Sequence, residues 1–321
     1  MWLIRRYAPR LGLIDEPNHR SSHKQPTPSG AGIGIVLGAG TGLLVAFATG
    51  TALPGAAWAV LAAALLVAVL GLVDDVRRLP PLVRLLAQAL AAAGVVSATG
   101  PFESLPLPAP LNLYLSALPG WACSLLWITA VTNFFNFMDG IDGLAGGQAV
   151  ASLCGVLVAA WSADASLLAA CAGAASLGFL LHNWAPARVF MGDVGSGFLG
   201  FLIAALPFLA PAGRRADAVM AIAVGLALFL LDPLETLVRR AVAGKPIAGA
   251  HREHVYQQFV GPGDPPGAVA GMLVAAGLGL ALLGAVLFRT GGPGWAALVV
   301  AVGVYAAERA ISARRSVKER L

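Results

Sequence analysis

The chain has 321 residues, 58% of them hydrophobic and 12% charged, with a formal net charge of +5 at pH 7. That composition excludes an ordinary soluble domain and places the chain in the membrane class. Its basic excess reflects orientation in a bilayer and contact with anionic lipid or phosphate, and argues for no nucleic acid as partner.

Residues 1–30 are polar and turn-rich and read as a cytoplasmic entry segment. Apolar runs follow near 31–50, 52–73, 82–99, 117–134, 145–162, 164–182, 195–213, 216–236, 267–289 and 293–311. A spanning helix needs about 20 such residues, so the pattern predicts one all-α polytopic membrane domain over 1–321 with about ten transmembrane helices. Gly and Ala abound in these runs, which suits close helix packing in lipid. A Pro-rich external loop is expected at 100–110, and 237–266 is the large cytoplasmic loop. Threaded with the N-terminus inside, 18 of the 21 Lys and Arg fall on the cytoplasmic side; Arg214, Arg215 and Arg289 do not. This asymmetry is a strong positive-inside signal, and it puts every acidic cluster on the cytoplasmic face.

The chemistry-bearing residues sit at the ends of the apolar runs. Asp74 and Asp75 close the second run, where they are either a solvated helix end or a functional pair. Neighbours on a helix point about 100° apart, so the two carboxylates cannot serve one ligand identically. Arg84 opens the next run, and its guanidinium can hold phosphate by paired hydrogen bonds. Asn133, Asn136, Asp139 and Asp142 recur every three residues, which predicts groups about one helical turn apart. Two amides and two carboxylates so arranged suit a divalent cation and the polar edge of a base or sugar. Asp193 directly precedes a run and is either an N-cap or a hard-cation ligand beside a phosphate-binding helix N-terminus. Phe190, three residues earlier, can stack on a base or simply pack. His251, Arg252 and His254 in the large loop lack the further ligands a zinc site needs and suit an anion clamp. Lys24 in the entry segment adds a cation.

In chain order, the pieces are Gly12–Lys24 with Pro26-Thr27-Pro28, then Asp74-Asp75, Asn133–Ala145, Phe190–Ser196 and His251–His254. This series resembles the polyprenyl-phosphate N-acetylhexosamine-1-phosphate transferases, glycosyltransferase family 4. The histidine motif is more similar to the O-antigen initiating branch than to the three-histidine pattern of the muramoyl-pentapeptide transferases. The family also has a membrane helix ahead of the Gly-Leu-Ile-Asp segment, where this sequence has only Met1–Tyr7.

The resemblance implies attack by undecaprenyl phosphate on the β-phosphate of a UDP-N-acetylated sugar, with release of UMP. Mg²⁺, or Mn²⁺ in its place, is the implied cofactor. The setting it implies is the bacterial inner membrane and the first membrane step of cell-envelope polysaccharide synthesis, with a homodimer as an expected assembly. Asp193 and Asn136 then look like metal ligands, and one of Asp74 and Asp75 like the group that deprotonates or orients the lipid phosphate. Asp139, Asp142 and Phe190 would face the nucleotide. Lys24, Arg84, His251, Arg252 and His254 would hold phosphates and sugar. A transporter of anionic lipid-linked cargo is the rival reading, but it calls for charges near mid-span and often for paired repeats.

Overall fold

The computed structural model describes residues 8, 13–15, 26–105, 113–246, 253–260 and 265–318, with side chains described up to residue 313. All ten apolar runs are helical: α1 (Ile33–Ala48), α2 (Gly55–Arg77), α3 (Pro81–Thr99), α4 (Ala117–Phe137), α5 (Leu144–Ala159), α6 (Ala163–Asn183), α7 (Gly192–Ala205), the pair α8 (Arg215–Gly225) and α9 (Ala227–Val242), α11 (Pro266–Thr290) and α12 (Gly294–Lys318). A short helix, α10 (Val255–Phe259), lies between α9 and α11. A 3₁₀ turn, Leu206–Leu209, carries α7 on to an 18-residue span, and two pairs of two-residue strands complete the described elements. Antiparallel β1 (Ile14–Asp15) and β2 (Thr27–Pro28) form one, β3 (Ser104–Leu105) and β4 (Leu113–Tyr114) the other. The protein is an all-α, multi-pass membrane protein.

The count of spans is lower than the expected ten. Among the described residues seven helices are long and apolar enough to cross a membrane, or eight if α8 and α9 form one broken span. Helices α1 and α5 have 16 residues each. At 1.5 Å per residue they reach about 24 Å, short of a hydrocarbon core of about 30 Å. The eighth run breaks at Leu226, where α8 and α9 meet at 76°, and α9 carries Pro233 in its interior.

Short connections bring the polar ends together. Arg78 ends α2 in the left-handed region with φ 52°, its N–H donating to the Asp74 carbonyl. Pro81 then begins α3, where its missing N–H costs nothing. This tight reversal lays α3 against α2 and brings Arg84 back over Asp74.

Helix α7 is the centre of the bundle. Every residue from Val194 to Ala205 is buried, whereas the other spans bury 17–39% of theirs and face lipid. Its neighbours reach it through glycines. A Cβ on Gly71 of α2 would lie 2.3 Å from the Asp193 carbonyl, and one on Gly32 would lie 2.3 Å from the Gly195 Cα. Gly200 meets α4 in the same way, its would-be Cβ 2.8 Å from the Phe135 Cβ. Side chains at these points would hold the backbones apart.

At the opposite ends of the helices stand the three arginines outside the cytoplasmic set, and each is tied to carbonyls at or just beyond a helix C-terminus. Arg215 donates to Thr99 O at 2.6 Å and to Pro101 O at 2.7 Å, beyond the end of α3. Arg214 donates to the Phe288 carbonyl near the end of α11 and lies 3.9 Å over that residue's ring. Arg289 donates to Val158 O in the last turn of α5 at 3.4 Å. A cation at a helix C-terminus answers both its orphan carbonyls and its dipole.

Candidate active site

The first turn of α7 is the hub. This helix has no capping side chain of its own; Asp75, from the last turn of α2, supplies the cap. Its Oδ1 accepts the Asp193 N–H at 2.8 Å and its Oδ2 the Val194 N–H at 3.1 Å. The N-cap reading of Asp193 is thereby excluded, because another chain segment does that work. Gly192, at φ +71°, keeps room for this cap: a Cβ there would sit 2.7 Å from Asp75 Oδ2.

With its backbone capped, the Asp193 side chain faces α3 and α4. Oδ2 accepts Arg84 Nη1 at 2.8 Å, and Oδ1 accepts Asn136 Nδ2 at 2.8 Å. Asn136 also donates to Ser196 Oγ at 2.8 Å. The same Arg84 Nη1 donates to Asp74 Oδ2, so one guanidinium nitrogen bridges two carboxylates from α2 and α7. Asp74 Oδ1 takes the Leu79 N–H as well. The adjacent acids therefore have different duties: Asp74 faces the guanidinium and Asp75 the helix end. Arg84 Nε has no partner among the described residues.

Arg84, Asn136 and Asp193 border a small cleft between α2, α3, α4 and α7. Val67, Leu70 and Gly71 form an apolar part, while Arg84, Gln88, Asn133, Asn136 and Asp193 form a polar part. Gln88, one turn beyond Arg84 on α3, receives Asn133 Nδ2 at 2.6 Å.

The three-residue spacing does not continue as one helical face. Helix α4 ends at Phe137, so only Asn133 and Asn136 are helical. Asp139 and Asp142 lie in the turn before α5, which begins after Gly143 at φ +81°. Asp142 Oδ2 accepts the Ala187 N–H at 2.8 Å and braces the loop before α7. The Phe190 backbone is stitched to the entry segment, with its N–H on Pro28 O at 2.8 Å and its carbonyl on Ala31 N at 3.0 Å. Lys24, His251 and Arg252 lie outside the described residues.

Asp139 is half-buried, and its pKa is pushed up to about 7 by burial, then by the negative charges of Asp75 and Asp142. A carboxyl raised in the folded state stabilises the fold fully below its unfolded pKa of about 3.9 and loses that contribution as pH rises through the folded value. Without divalent cations, melting temperature should therefore fall across pH 4–7, and Asp139→Asn should flatten that decline. Melts of wild type and variant in detergent check this; parallel slopes would mean the carboxyl ionises freely in the folded chain.

His254 is described and buried. Its Nδ1 lies 3.0 Å from Asp232 Oδ1 in α9. The basic residues before it are paired: Arg240 Nη1 with Glu253 at 2.7 Å and Lys245 Nζ with the same carboxylate at 3.1 Å. Gln88, Ser196, Asp232 and Glu253 escaped the sequence reading. The signal was there for two of them: Gln88 follows Arg84 by four residues, and Asp232 is a carboxylate inside an apolar run.

Among the described residues no group of three or more His, Cys, Asp or Glu gathers to hold a metal. The donor set nevertheless fits a cation that takes few protein ligands. Asp193 offers two carboxylate oxygens with the Asn136 amide beside them, and Arg84 shows that positive charge is held between Asp74 and Asp193. Mg²⁺ characteristically uses one or two carboxylates and completes its shell with water and substrate phosphates.

Residues 57–210, which contain Asp74, Asp75, Arg84, Asn136 and Asp193, match the model of Glycosyl transferase family 4, and with the relatives that follow, the class is a membrane glycosyl transferase. The chain is 30% identical over 264 residues, 80% of its length and 72% of the relative's, to a probable undecaprenyl-phosphate N-acetylglucosaminyl 1-phosphate transferase of Bacillus subtilis. It is 27% identical over 338 aligned positions, 95% of this chain and 82% of the relative, to a decaprenyl-phosphate N-acetylglucosaminephosphotransferase of Mycolicibacterium smegmatis. A phospho-N-acetylmuramoyl-pentapeptide-transferase of Synechococcus elongatus matches at 42% over 113 residues, 35% of this chain and 31% of that one. The chain belongs to the polyprenyl-phosphate N-acetylhexosamine-1-phosphate transferase family.

Proposed function

We propose that the protein transfers an N-acetylated sugar-1-phosphate from a UDP-sugar to undecaprenyl phosphate, opening a cell-envelope polysaccharide pathway. The observation that carries this reading is the single Arg84 nitrogen shared by Asp74 and Asp193 at the head of a cleft with an apolar part. Such a site can take a lipid chain along Val67 and Leu70 and present its phosphate to charged groups.

A lipid-phosphate oxygen forms a bond to the β-phosphorus of the UDP-sugar, and the bond between that phosphorus and the oxygen bridging to the α-phosphate breaks, so UMP leaves. Asp74 orients the attacking phosphate and accepts its proton where it carries one. Arg84, which meets both carboxylates through Nη1, has guanidinium donors left for a phosphate oxygen. Asp193 and Asn136 would hold Mg²⁺, which supplies electrostatic stabilisation of phosphate charge in the transition state. By their motifs, Lys24, His251 and Arg252 add cations for the phosphates, with His254 beside them, and Phe190 and Asp139 serve the nucleotide. Asp142, engaged with Ala187, acts on that side as a brace.

The polar helix ends belong on the cytoplasmic side, since the Lys and Arg of the chain concentrate there. Single cysteines placed beside Asp74, Asp139 and Asp193 should resist an impermeant thiol reagent in intact cells; external labelling at any of them would end the shared cytoplasmic site.

The deciding assay is UMP release and lipid-linked product formation by the purified chain in nanodiscs with undecaprenyl phosphate, Mg²⁺ and a panel of UDP-sugars. Turnover is expected with a UDP-N-acetylhexosamine or its 6-deoxy relative, and none with UDP-muramoyl-pentapeptide. UDP-glucose should be rejected by orders of magnitude, since polar groups that bind the N-acetyl group would be left unpaired. Comparable turnover of UDP-glucose and every N-acetylated donor would overturn the substrate class.

A further inference from the structure

We propose that Gln88 receives the lipid phosphate from its bilayer side, donating from Nε2 to one phosphate oxygen while Arg84 holds another. The proposal rests on the transferase reading above for the choice of lipid. Gln88 is 8% exposed and lines the cleft together with Arg84, Asn133, Asn136 and Asp193. Arg84 and Gln88 lie four residues apart in α3 and so share a helix face.

The neighbouring amide fixes which way Gln88 points. Asn133 Nδ2 donates to Gln88 Oε1 at 2.6 Å and to Thr129 O at 2.7 Å. A backbone carbonyl only accepts, so nitrogen is the Asn133 atom at this junction, and Gln88 must answer it with oxygen. Gln88 Nε2 is left with no partner among the described residues. It is not sealed off, and the space it opens on is the cleft that Gln88 lines. A donor in so buried a side chain is costly unless something accepts from it. Holding Asn133 needs only the oxygen; the nitrogen awaits an acceptor that a ligand brings.

Depth decides which substrate that is. Helix α3 runs into the bundle from its start at Pro81, so Gln88 lies about 6 Å farther from the cytoplasmic end than Arg84. Its apolar neighbours in the cleft are Val67 and Leu70. A UDP-sugar comes from water and meets the helix ends first, whereas a lipid comes from the bilayer. A phosphate monoester drawn under Arg84 keeps water on its cytoplasmic side but has hydrocarbon beneath it, where a protein donor must replace the lost hydration. An amide does this without an unpaired charge among apolar side chains. With two oxygens held by Arg84 and Gln88, the third is left to attack.

Equilibrium binding to the full chain in nanodiscs, with no turnover, tests this. Gln88→Met keeps length and bulk but has no donor. It should weaken binding of undecaprenyl phosphate by at least about tenfold, the scale of a lost hydrogen bond to a charged group. Undecaprenol, which lacks the phosphate, and UDP-N-acetylglucosamine should each bind within about twofold of wild type. In the transfer assay, KM for undecaprenyl phosphate should rise by the same factor as its binding weakens, while KM for the UDP-sugar holds. Gln88→Asn, which withdraws the amide by one methylene, should also weaken undecaprenyl phosphate selectively, and it replaces the Met variant if that does not fold. Unchanged binding of undecaprenyl phosphate would remove Gln88 from the site. Equal weakening of undecaprenol or of the UDP-sugar would make it a brace of the cleft, and either result overturns the proposal. A wild type that binds undecaprenyl phosphate through Gln88 yet turns over no UDP-sugar would instead overturn the transferase reading and leave the lipid-phosphate site standing.

Discussion

Asp193→Asn should lower kcat by at least about 10²-fold, the scale seen when one preorganised electrostatic group is removed from a site, while the protein inserts and purifies normally. The structure explains both halves of that expectation. Asp193 places one oxygen on Arg84 and the other on Asn136, at 2.8 Å each. An amide there must point its NH₂ at one of two donors, and it is a poor ligand for a hard cation. The helix it begins does not suffer, because Asp75 supplies the cap. Activity within about tenfold of wild type, roughly 1.4 kcal/mol of barrier, would remove Asp193 from the chemistry.

The two adjacent acids should fail in different ways. Asp74→Asn keeps a carbonyl for the Leu79 N–H but loses the charge opposite Arg84. Its kcat should fall by about 10²-fold with the melting temperature little changed. Asp75→Asn keeps one acceptor for two N–H groups of α7 and turns an NH₂ toward the other. Loss of a helix cap costs about 1 kcal/mol, so this variant should melt earlier and lose activity through the displaced first turn of α7. Thermal melts and initial rates on both proteins separate the two patterns. Mild losses of equal size, with equal melting, would return the pair to a solvated helix end.

Much of the bundle was legible from hydropathy alone, because each apolar run became helical where lipid or a buried core demands it. What hydropathy cannot read is whether a run is long enough or straight enough. Helices α1 and α5 stop at 16 residues, and the bend at Leu226 depends on what α8 and α9 pack against. The same limit governs the site. Asp74, Arg84, Asn136 and Asp193 were visible because charge and amide at the end of an apolar run are costly. The division of duty between Asp74 and Asp75 was foreseen only as an angle, since the partner that decides it, the start of α7, lies 118 residues away. The extension of the Asn133 face through Asp142 failed because α4 ends at Phe137 and the chain turns, through Gly143 at φ +81°, into α5. Asp232 hid inside a run read as apolar; its partners come 22 to 24 residues later.

The arginine seals at the far ends of the helices bear on how the chain is built. Arg215 closes carbonyls that α3 and its exit left open 115 residues earlier. A nascent chain that has threaded α3 must therefore wait through four more helices, α4 to α7, before the residue that finishes that corner is synthesised. Until then the early hairpin of α2 and α3 relies on interfacial water at its outer rim. Assembly from the ribosome is thus not a simple stacking of finished pairs: the late arrival of α8 locks the early ones.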